Sequence, residues 1–262
     1  MVTVAIDNAS KSYTRKGNHG HDKVQVLENL SFSVGNGEFV TLFGANGCGK
    51  TTLLKIIAGF DSVDNGRVRV DSLAPGEVKT GFIFQNYADS LLPWKRVVDN
   101  IALPLSLKGF EQKAAREKVE QLLGELNLEL PLSAFPYQLS AGQQQMVAIA
   151  RALAYESELL LLDEPFSSLD FQTRVSLQQE ILRIWQNRGM TVLFVSHDIE
   201  EALFLADRLI LLTNRPAKVK EIIRIELPRP RSQEVFESSE FSRLKVRTTK
   251  SFFESISECE KK

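Results

Sequence analysis

A short glycine-rich segment at residues 44–52 constrains this chain more than any other feature. Its sequence follows the pattern G-x-x-x-x-G-K-T, with the apolar run Phe39–Phe43 before it and another apolar run at residues 53–58 after it. Glycines let consecutive backbone N–H groups face inward, and the N-terminus of a following helix adds a positive dipole end. The pattern therefore predicts a buried strand, a phosphate-binding loop and a helix in direct succession.

The residues of this loop have distinct expected roles around a bound polyphosphate. Lys50 would reach the β- and γ-phosphates as a point charge, and the Thr51 hydroxyl would take one position around Mg²⁺. An ordinary glycine turn is the alternative, but the apolar runs on both sides favour the phosphate loop. The residues expected to bind the nucleotide are Gly44, Ala45, Asn46, Gly47, Cys48, Gly49, Lys50, Thr51 and Thr52.

Cys48 lies inside the loop, two residues before Lys50. Backbone N–H groups and a helix N-terminus favour an anion, and such surroundings lower a cysteine pKa from ~8.5 by about one unit or more. We therefore expect a reactive thiol whose alkylation blocks nucleotide binding. The alternative is an inert thiol packed beneath the loop, since free cysteine is among the most buried residue types.

Composition narrows the class of protein. The chain has 262 residues, 43% of them hydrophobic, which is ample for a packed core in one large domain or two small ones. Its 32 Lys and Arg residues balance 33 Asp and Glu residues, so no broad positive surface for nucleic acid is expected. The two cysteines lie far apart, which fits reduced thiols in a cytoplasm. The sequence shows no secretion signal and no apolar run near ~20 residues, so membrane contact is expected only through a partner.

Polar side chains come at the ends of several apolar runs that we interpret as strands. They are Gln85, the adjacent carboxylates Asp163 and Glu164, and His197. Parallel strands beside a phosphate loop place such residues at one edge of the sheet. Asp163 is expected to hold Mg²⁺ through water, and Glu164 to polarise the water that attacks the γ-phosphate. A pair of helix-capping carboxylates is the alternative.

Hydrophobic patterns outside the loop predict the coarse fold. Alternation at residues 30–34 and 67–70 indicates half-buried antiparallel strands near the N-terminus. The polar stretch 14–25 predicts a loop, in which His19 and His21 are solvated rather than bound to a metal. Residues 87–154 show only helix and loop patterns, including an amphipathic helix at 111–125, which indicates a helical insertion in an α/β chain.

Residues 139–145, with the sequence Leu-Ser-Ala-Gly-Gln-Gln-Gln, resemble the signature motif of the ABC transporter ATPases. The resemblance covers about residues 3–230 and includes the other motifs of that family. The matched positions are the adenine-stacking aromatic Tyr13, the Walker A loop 44–52, the Q-loop Gln85, the Walker B pair Asp163 and Glu164, the D-loop that ends in Asp170, and the switch histidine His197.

This resemblance implies that two subunits dimerise head to tail around two ATP molecules, so that the signature of one chain completes the phosphate site of the other. The signature residues that would act in trans are Ser140, Ala141, Gly142 and Gln143. The implied catalytic residues are Lys50, Gln85, Glu164 and His197, and the implied Mg²⁺ ligands are Thr51, Gln85 and Asp163. Two positions depart from the usual motif, since Ala141 replaces a glycine and Met146 an arginine.

The resemblance also implies a fold. We expect an α/β protein with a RecA-like P-loop NTPase core, a mainly parallel sheet, an N-terminal antiparallel β subdomain and an inserted helical subdomain. The ATPase domain would span residues 1–230, with the helical subdomain at about 87–154. Residues 231–262 would form a charged tail whose phenylalanines dock on the core; these are Phe236, Phe241, Phe252 and Phe253.

Two segments resemble the branch of importer subunits for nitrate, aliphatic sulfonates, taurine and bicarbonate. They are Ser-Leu-Leu-Pro-Trp at residues 90–94 and Leu-Pro-Arg-Pro-Arg at residues 227–231. An apolar Leu-Pro-Trp surface after the Q-loop would receive a permease, whereas local core packing of the tryptophan is the alternative. We thus expect an importer ATPase on the cytoplasmic face of the inner membrane, held there by permease subunits that work with a solute-binding protein. A non-transport ABC ATPase that drives a clamp on another protein is the rival function.

Overall fold

A computed structural model of the protein describes the backbone of residues 2–17 and 20–260 and the side chains of residues 2–14, 22–86 and 88–256. His19 and the side chain of His21 lie outside these ranges, so their predicted solvation stays a prediction. The strands are β1 Val4–Gly17, β2 Gly20–Val34, β3 Phe39–Phe43, β4 Asn65–Val70, β5 Thr80–Ile83, β6 Leu159–Asp163, β7 Thr191–Ser196, β8 Arg208–Leu212 and β9 Val219–Arg224.

The α-helices alternate with these strands and dominate the middle of the chain. They are α1 Lys50–Ile57, α2 Tyr87–Ser90, α3 Val97–Ile101, α4 Leu103–Leu107, α5 Gln112–Glu125, α6 Ala141–Ala154, α7 Phe171–Arg188, α8 Ile199–Leu205 and α9 Ser239–Glu260. Short 3₁₀ turns occur at Pro136–Gln138 and Gln233–Glu237. None of the helices in the described part of the chain combines the length and the hydrophobicity that a membrane span requires.

The chain divides into two compact units. The first consists of Met1–Val78 with Thr191–Lys262, and the second consists of Lys79–Met190, which is inserted between the two parts of the first. The predicted boundaries, with a helical subdomain at about 87–154 and a tail from residue 231, stay a prediction.

An antiparallel sheet forms the N-terminal part of the first unit, with strand order β2-β1-β4. The predicted loop at residues 14–25 is wrong, because β1 and β2 pair as far as Gly17 opposite Gly20. The hydrogen bonds between β1 and β2 are formed by backbone groups, so the two strands can pair here without apolar side chains. The polar side chains of Thr14, Asp22 and Lys23 point to solvent and are tolerated there.

The core of the first unit is a sheet in the order β7-β3-β8-β9. β3 runs parallel to both of its neighbours, and β9 is antiparallel to β8. Every residue of β3 and β7 is buried, as expected for central strands covered on both faces. In the second unit, β5 and β6 form a parallel pair, and helices α2 to α6 make up the inserted helical part. The protein therefore has the predicted α/β architecture with a RecA-like P-loop core.

The C-terminal tail forms a 22-residue helix, α9, which the weak periodicity of its sequence does not predict. Phe252 packs with Phe43 of β3 at a ring distance of 5.1 Å, and Phe236 stacks on Phe204 at 5.0 Å. Phe241 is fully buried. Docking of these three phenylalanines is as predicted, but Phe253 is 62% exposed, so its predicted docking is wrong.

Candidate active site

The glycine-rich loop connects β3 directly to α1, as the sequence predicts. Gly47 and Gly49 have φ angles of 74° and 128°, which residues with a side chain rarely adopt. A Cβ atom on Gly49 would also lie 2.8 Å from Leu27 and 2.9 Å from Val26 of β2. Glycine at this position is therefore required both by the backbone conformation and by the close approach of β2.

Lys50 is the first residue of α1 and only 4% exposed. Its ammonium donates hydrogen bonds to the carbonyl oxygens of Gly44 at 2.8 Å and Ala45 at 3.0 Å. The charge is thus held against the start of the loop. The first turn of α1 has no carboxylate among its described residues. The positive end of a helix dipole is a favourable position for an anion.

Cys48 is a free cysteine that is only 2% exposed. Burial raises the pKa of its thiol, and this outweighs the opposing effects of the Lys50 charge, nearby backbone N–H groups and Arg215. The predicted lowering of the Cys48 pKa is therefore wrong. The alternative, a thiol packed beneath the loop, describes its position.

Tyr13 lies on β1 with its side chain 41% exposed. Its hydroxyl donates a hydrogen bond to Asp61, and the Lys11 ammonium lies 5.2 Å from the centre of its ring. Burial and the bond to Asp61 raise the pKa of Tyr13, while a hydrogen bond with the side chain of Thr52 lowers it. The aromatic ring thus stands beside the last residue of the phosphate loop, with part of its surface open to a flat ligand.

His197 follows β7, the parallel neighbour of β3, and its side chain is exposed. Ser196 pairs with Phe43 in the sheet register, so His197 and the start of the phosphate loop leave the sheet at the same edge. Asp198 caps α8 by accepting hydrogen bonds from the N–H groups of Glu200 and Glu201. The histidine therefore sits between a rigid strand end and a capped helix.

The second unit carries Gln85 shortly after β5, Asp163 as the last residue of β6 and Glu164 directly after it, and β5 and β6 run parallel. Asp163 is 4% exposed, and Glu164 has a φ angle of 46°, a strained value for a residue with a side chain. The amide of Gln85 donates to a carboxylate oxygen of Glu164 at 3.4 Å. The structure therefore brings these two predicted residues together at one sheet edge.

The signature residues begin α6 with a reciprocal cap. The Gln143 N–H donates to the Ser140 hydroxyl at 3.3 Å, and the Ser140 N–H donates to the Gln143 side chain at 3.0 Å. A Cβ atom on Gly142 would lie 2.5 Å from Thr173 of α7. Asp170 caps α7 by accepting from the Thr173 N–H at 3.0 Å, and hydrogen bonds with Thr173 lower its pKa.

Two residues at the phosphate loop were not predicted. Asp61 joins Tyr13 to Lys11, and Arg215 donates a hydrogen bond to the Gly47 carbonyl oxygen at 2.7 Å. Asp61 and Arg215 lie in loops without a recognised motif, and only folding brings them to their partners. No sequence signal could have found them.

The residues predicted to bind Mg²⁺ all carry oxygen donors. Among the described side chains, no group of three His, Cys, Asp or Glu residues could hold a metal ion. The hydroxyl of Thr51, the amide of Gln85 and the carboxylate of Asp163 are oxygen donors of the kind that Mg²⁺ prefers. Mg²⁺ typically uses one or two carboxylates together with substrate phosphates. The predicted donor set therefore fits Mg²⁺ delivered with a nucleotide.

A phosphate loop between a parallel strand and a helix, together with a strand-end carboxylate pair, defines a P-loop nucleoside triphosphatase. The family model described as ABC transporter matches residues 27–167, more than half of the chain. The chain belongs to the ABC transporter family and is an ABC-type ATPase.

Curated relatives match nearly the whole chain. The aliphatic sulfonates import ATP-binding protein SsuB of Bacillus cereus is 42% identical over 88% of this chain and 90% of its own length. The taurine import ATP-binding protein TauB of Shigella flexneri is 43% identical over 78% of this chain and 80% of its own length. An uncharacterised ABC transporter ATP-binding protein of Methanocaldococcus jannaschii, MJ0412, is 43% identical over 92% of this chain and 88% of its own length.

Solved structures agree with the fold. The ATP-binding cassette MJ0796, in a dimeric post-hydrolysis state with ADP and Pi, has a TM-score of 0.73 and 30% identity and covers 86% of this chain and 100% of its own. The cassette cbiO1 of Clostridium perfringens has a TM-score of 0.74 at 21% identity, covers 94% of this chain and 96% of its own, and supports the fold alone.

Proposed function

We propose that this ATPase energises the import of a small solute, specifically an anion or zwitterion such as a sulfonate, taurine, nitrate or bicarbonate. The observation that carries the proposal is the similarity, over 88% and 78% of this chain, to two subunits named for sulfonate and taurine import. The segments at residues 90–94 and 227–231 support the same branch.

The Leu-Pro-Trp segment is a suitable surface for a permease. Trp94 is 71% exposed, so local core packing, the alternative considered for it, does not describe its position. The buried Asn100 side chain donates to the carbonyl oxygens of Leu92, Lys95 and Arg96 and accepts from the Leu92 N–H. The loop is therefore held rigidly while its tryptophan is presented to solvent, which is typical of an anchor residue at an interface.

Arg151 fixes the start of the same segment. Its guanidinium donates to the backbone oxygen and to the hydroxyl oxygen of Ser90, each at 2.7 Å. Since Gln85 lies just upstream, we propose that permease movements reach the Gln85 and Glu164 pair through this segment. The permease in turn would hold the ATPase on the cytoplasmic face of the membrane, next to a solute-binding protein on the other side.

The chain's own residues have separable roles in hydrolysis. Lys50 and the loop N–H groups would bind the phosphates, Glu164 would accept the proton of the attacking water, and Gln85 and His197 would orient the water and the γ-phosphate. Tyr13 would stack on the adenine. Mg²⁺, held by Thr51, Asp163 and Gln85, would neutralise phosphate charge.

A second ATPase subunit, identical or homologous, would complete each site. The cap between Ser140 and Gln143 fixes the start of α6, and its N–H groups together with the helix dipole suit the γ-phosphate of a partner chain. Asp170, at the cap of α7, would lie at the same dimer interface. The dimeric state named for MJ0796 supports this arrangement.

Co-purification from the native membrane tests the transport function. A tagged chain, extracted in mild detergent with Mg-ATP, should retain membrane-spanning subunits identifiable by mass spectrometry. Vesicles reconstituted with that complex should then accumulate labelled taurine, alkanesulfonate, nitrate or bicarbonate in an ATP-dependent manner. Recovery of a soluble clamp partner without any membrane subunit would instead support the rival function.

A further inference from the structure

The turn between β8 and β9 is fixed to the N-terminal sheet at the back of the phosphate loop. The Ala217 N–H donates to the Val26 carbonyl at 2.8 Å, and the Glu28 N–H donates to the Ala217 carbonyl at 3.0 Å. Lys218 adds an ion pair to Glu28 at 3.0 Å. The turn therefore has a defined position relative to β2, and β2 in turn packs against Gly49 of the loop.

Hydrogen bonds inside the turn make it rigid. The Thr213 hydroxyl accepts from the Lys218 N–H at 2.9 Å, and the Thr213 N–H donates to the Lys218 carbonyl at 2.9 Å. Arg215 lies at the tip between these two residues. Its backbone is thus held in place, which reduces the entropy lost when its long side chain reaches a partner.

Arg215 reaches the crest of the phosphate loop. Its Nη2 atom donates to the carbonyl oxygen of Gly47 at 2.7 Å, a short, charge-assisted hydrogen bond. Gly47 has a φ angle of 74°. Because glycine has no Cβ atom, its backbone can also adopt other conformations, and the adjacent peptide groups would then change orientation. A guanidinium on the carbonyl restrains the peptide that follows Gly47, whose N–H, on Cys48, donates to the Ala45 carbonyl oxygen at 3.2 Å and closes the turn from which the rest of the loop continues.

We infer that Arg215 is a positioning residue for the phosphate loop, and that it keeps the loop N–H groups in their anion-binding orientation before nucleotide arrives. The inference rests on nucleotide binding by residues 44–52 and is independent of the transported solute. β2 behind Gly49 and Arg215 on Gly47 then both restrain the loop from outside it. A loop held in this way loses less conformational entropy on binding, which tightens binding without a direct contact to the phosphates.

The inference predicts a specific kinetic pattern for Arg215→Ala. The dissociation constants for Mg-ADP and Mg-ATP, and the KM for ATP, should rise about tenfold, which corresponds to about 1.4 kcal/mol. Most of the change should appear as faster nucleotide dissociation. The kcat should stay near the wild-type value, because the substitution leaves unchanged Glu164, the proposed proton acceptor, and the residues proposed to orient the attacking water. The melting temperature without nucleotide should also be unchanged.

Fluorescent ADP binding, stopped-flow dissociation and steady-state ATPase measurements test this pattern. Arg215→Lys retains a charged donor and should recover most of the affinity, whereas Arg215→Gln should recover little. Arg224→Ala is the matched control, because Arg224 is an exposed arginine on the adjacent strand β9 and should bind nucleotide as the wild type does.

Three results would overturn the inference. They are unchanged nucleotide affinity in Arg215→Ala, an equal loss of affinity in Arg224→Ala, and a fall in nucleotide-free melting temperature that Arg215→Lys does not reverse. The last result would assign Arg215 to the stability of the hairpin alone.

Discussion

At the scale of single residues, Glu164 combines an unusual backbone conformation with the position that we propose to be catalytic. Its positive φ angle costs of order 1–3 kcal/mol, and its carboxylate accepts a hydrogen bond from the Gln85 amide. Glu156 has a similar φ angle of 59° but forms an exposed ion pair with Lys79 at 3.1 Å. A comparison of variants at the two glutamates therefore separates the effect of a positive φ angle, which both residues have, from the effect of the position beside Gln85, which only Glu164 has.

We expect Glu164→Gln to lower ATP turnover by at least ~100-fold, because the amide keeps the shape of the carboxylate but cannot accept a proton. ATP binding should persist, and the proposed dimer should accumulate with ATP and be visible by size-exclusion chromatography. Glu156→Gln should retain full activity. Unchanged turnover in Glu164→Gln would show that another residue is the general base.

The buried thiol of Cys48 leads to the opposite expectation from the one based on sequence. Since its pKa is raised by burial, Cys48 should be protonated at neutral pH, and its thiolate should become populated only in more alkaline solution than for a free cysteine. Brief N-ethylmaleimide treatment near pH 7 should leave native Cys48 unlabelled, with or without Mg-ATP. Peptide mass spectrometry should find it labelled after unfolding in urea. Rapid labelling of the native thiol, prevented by Mg-ATP, would refute this.

At the scale of secondary-structure elements, the signature glycine also allows close packing of two helices. Gly142 lies at the start of α6, where a Cβ atom would clash with Thr173 in the first turn of α7. The sequence motif assigns this glycine to phosphate binding alone. The structure shows in addition that α7, the helix capped by Asp170, can pack closely against α6 only because Gly142 has no side chain.

Gly142→Ala should therefore destabilise the protein by about 1–3 kcal/mol through overpacking. Thr173→Ser removes the clashing methyl and keeps the backbone N–H that Asp170 binds, so the double variant should regain most of the stability. Urea unfolding followed by circular dichroism measures both effects. Gly124→Ala in α5 is the control, since no atom lies within 4 Å of its Cβ position, and this variant should be slightly stabilised. Additive effects of the two substitutions would contradict the proposed clash.

The segment at residues 227–231 has a structural role at the end of α8. Arg231 is 5% exposed and donates hydrogen bonds to the carbonyl oxygens of Leu203, Phe204 and Ala206, which end that helix, and to that of Leu227. Burial lowers its pKa to about 10. The guanidinium thus satisfies carbonyl groups that the helix leaves open. The segment 227–231 therefore stabilises the C-terminal end of α8, the helix that follows His197 in the chain.

At the scale of the whole molecule, the loop at residues 90–94 is where the ATPase would meet its transporter. Leu92→Asp or Trp94→Ala should uncouple transport from hydrolysis, because a buried charge or a lost aromatic anchor at an interface costs ~2 kcal/mol or more. ATPase activity of the isolated chain should survive, since Trp94 is exposed and Leu92 only partly buried. Coupled uptake in reconstituted vesicles, beside ATPase assays, measures the difference.

An exposed leucine elsewhere in the second unit provides the control for that prediction. Leu107 of α4 is 81% exposed, and Leu107→Asp should leave transport unchanged. Loss of nucleotide binding or unfolding in the Trp94 variant would contradict the proposed interface role, because removal of an exposed anchor should affect only the bound permease.

The sequence by itself determined the family, the phosphate loop, the signature and the strand-end residues Gln85, Asp163, Glu164 and His197. Those features are local, because a glycine pattern or an apolar run followed by a carboxylate has the same chemical meaning wherever the chain folds. It also predicted β3 to the residue, since a strand buried on both faces is predominantly apolar, and four of the five residues of β3 are apolar.

Only the tertiary structure decided the burial of Cys48, the exposure of Trp94, the contact of Gly142 with Thr173 and the bond from Arg215 to Gly47. Arg215 and Gly47 are 168 residues apart, and no local pattern records that a turn after β8 returns to the loop after β3. The pKa of Cys48 likewise depends on the tertiary structure and not on the local sequence alone. Nearby N–H groups and Lys50 favour the thiolate, but the packing of distant strands removes water, and that desolvation outweighs them.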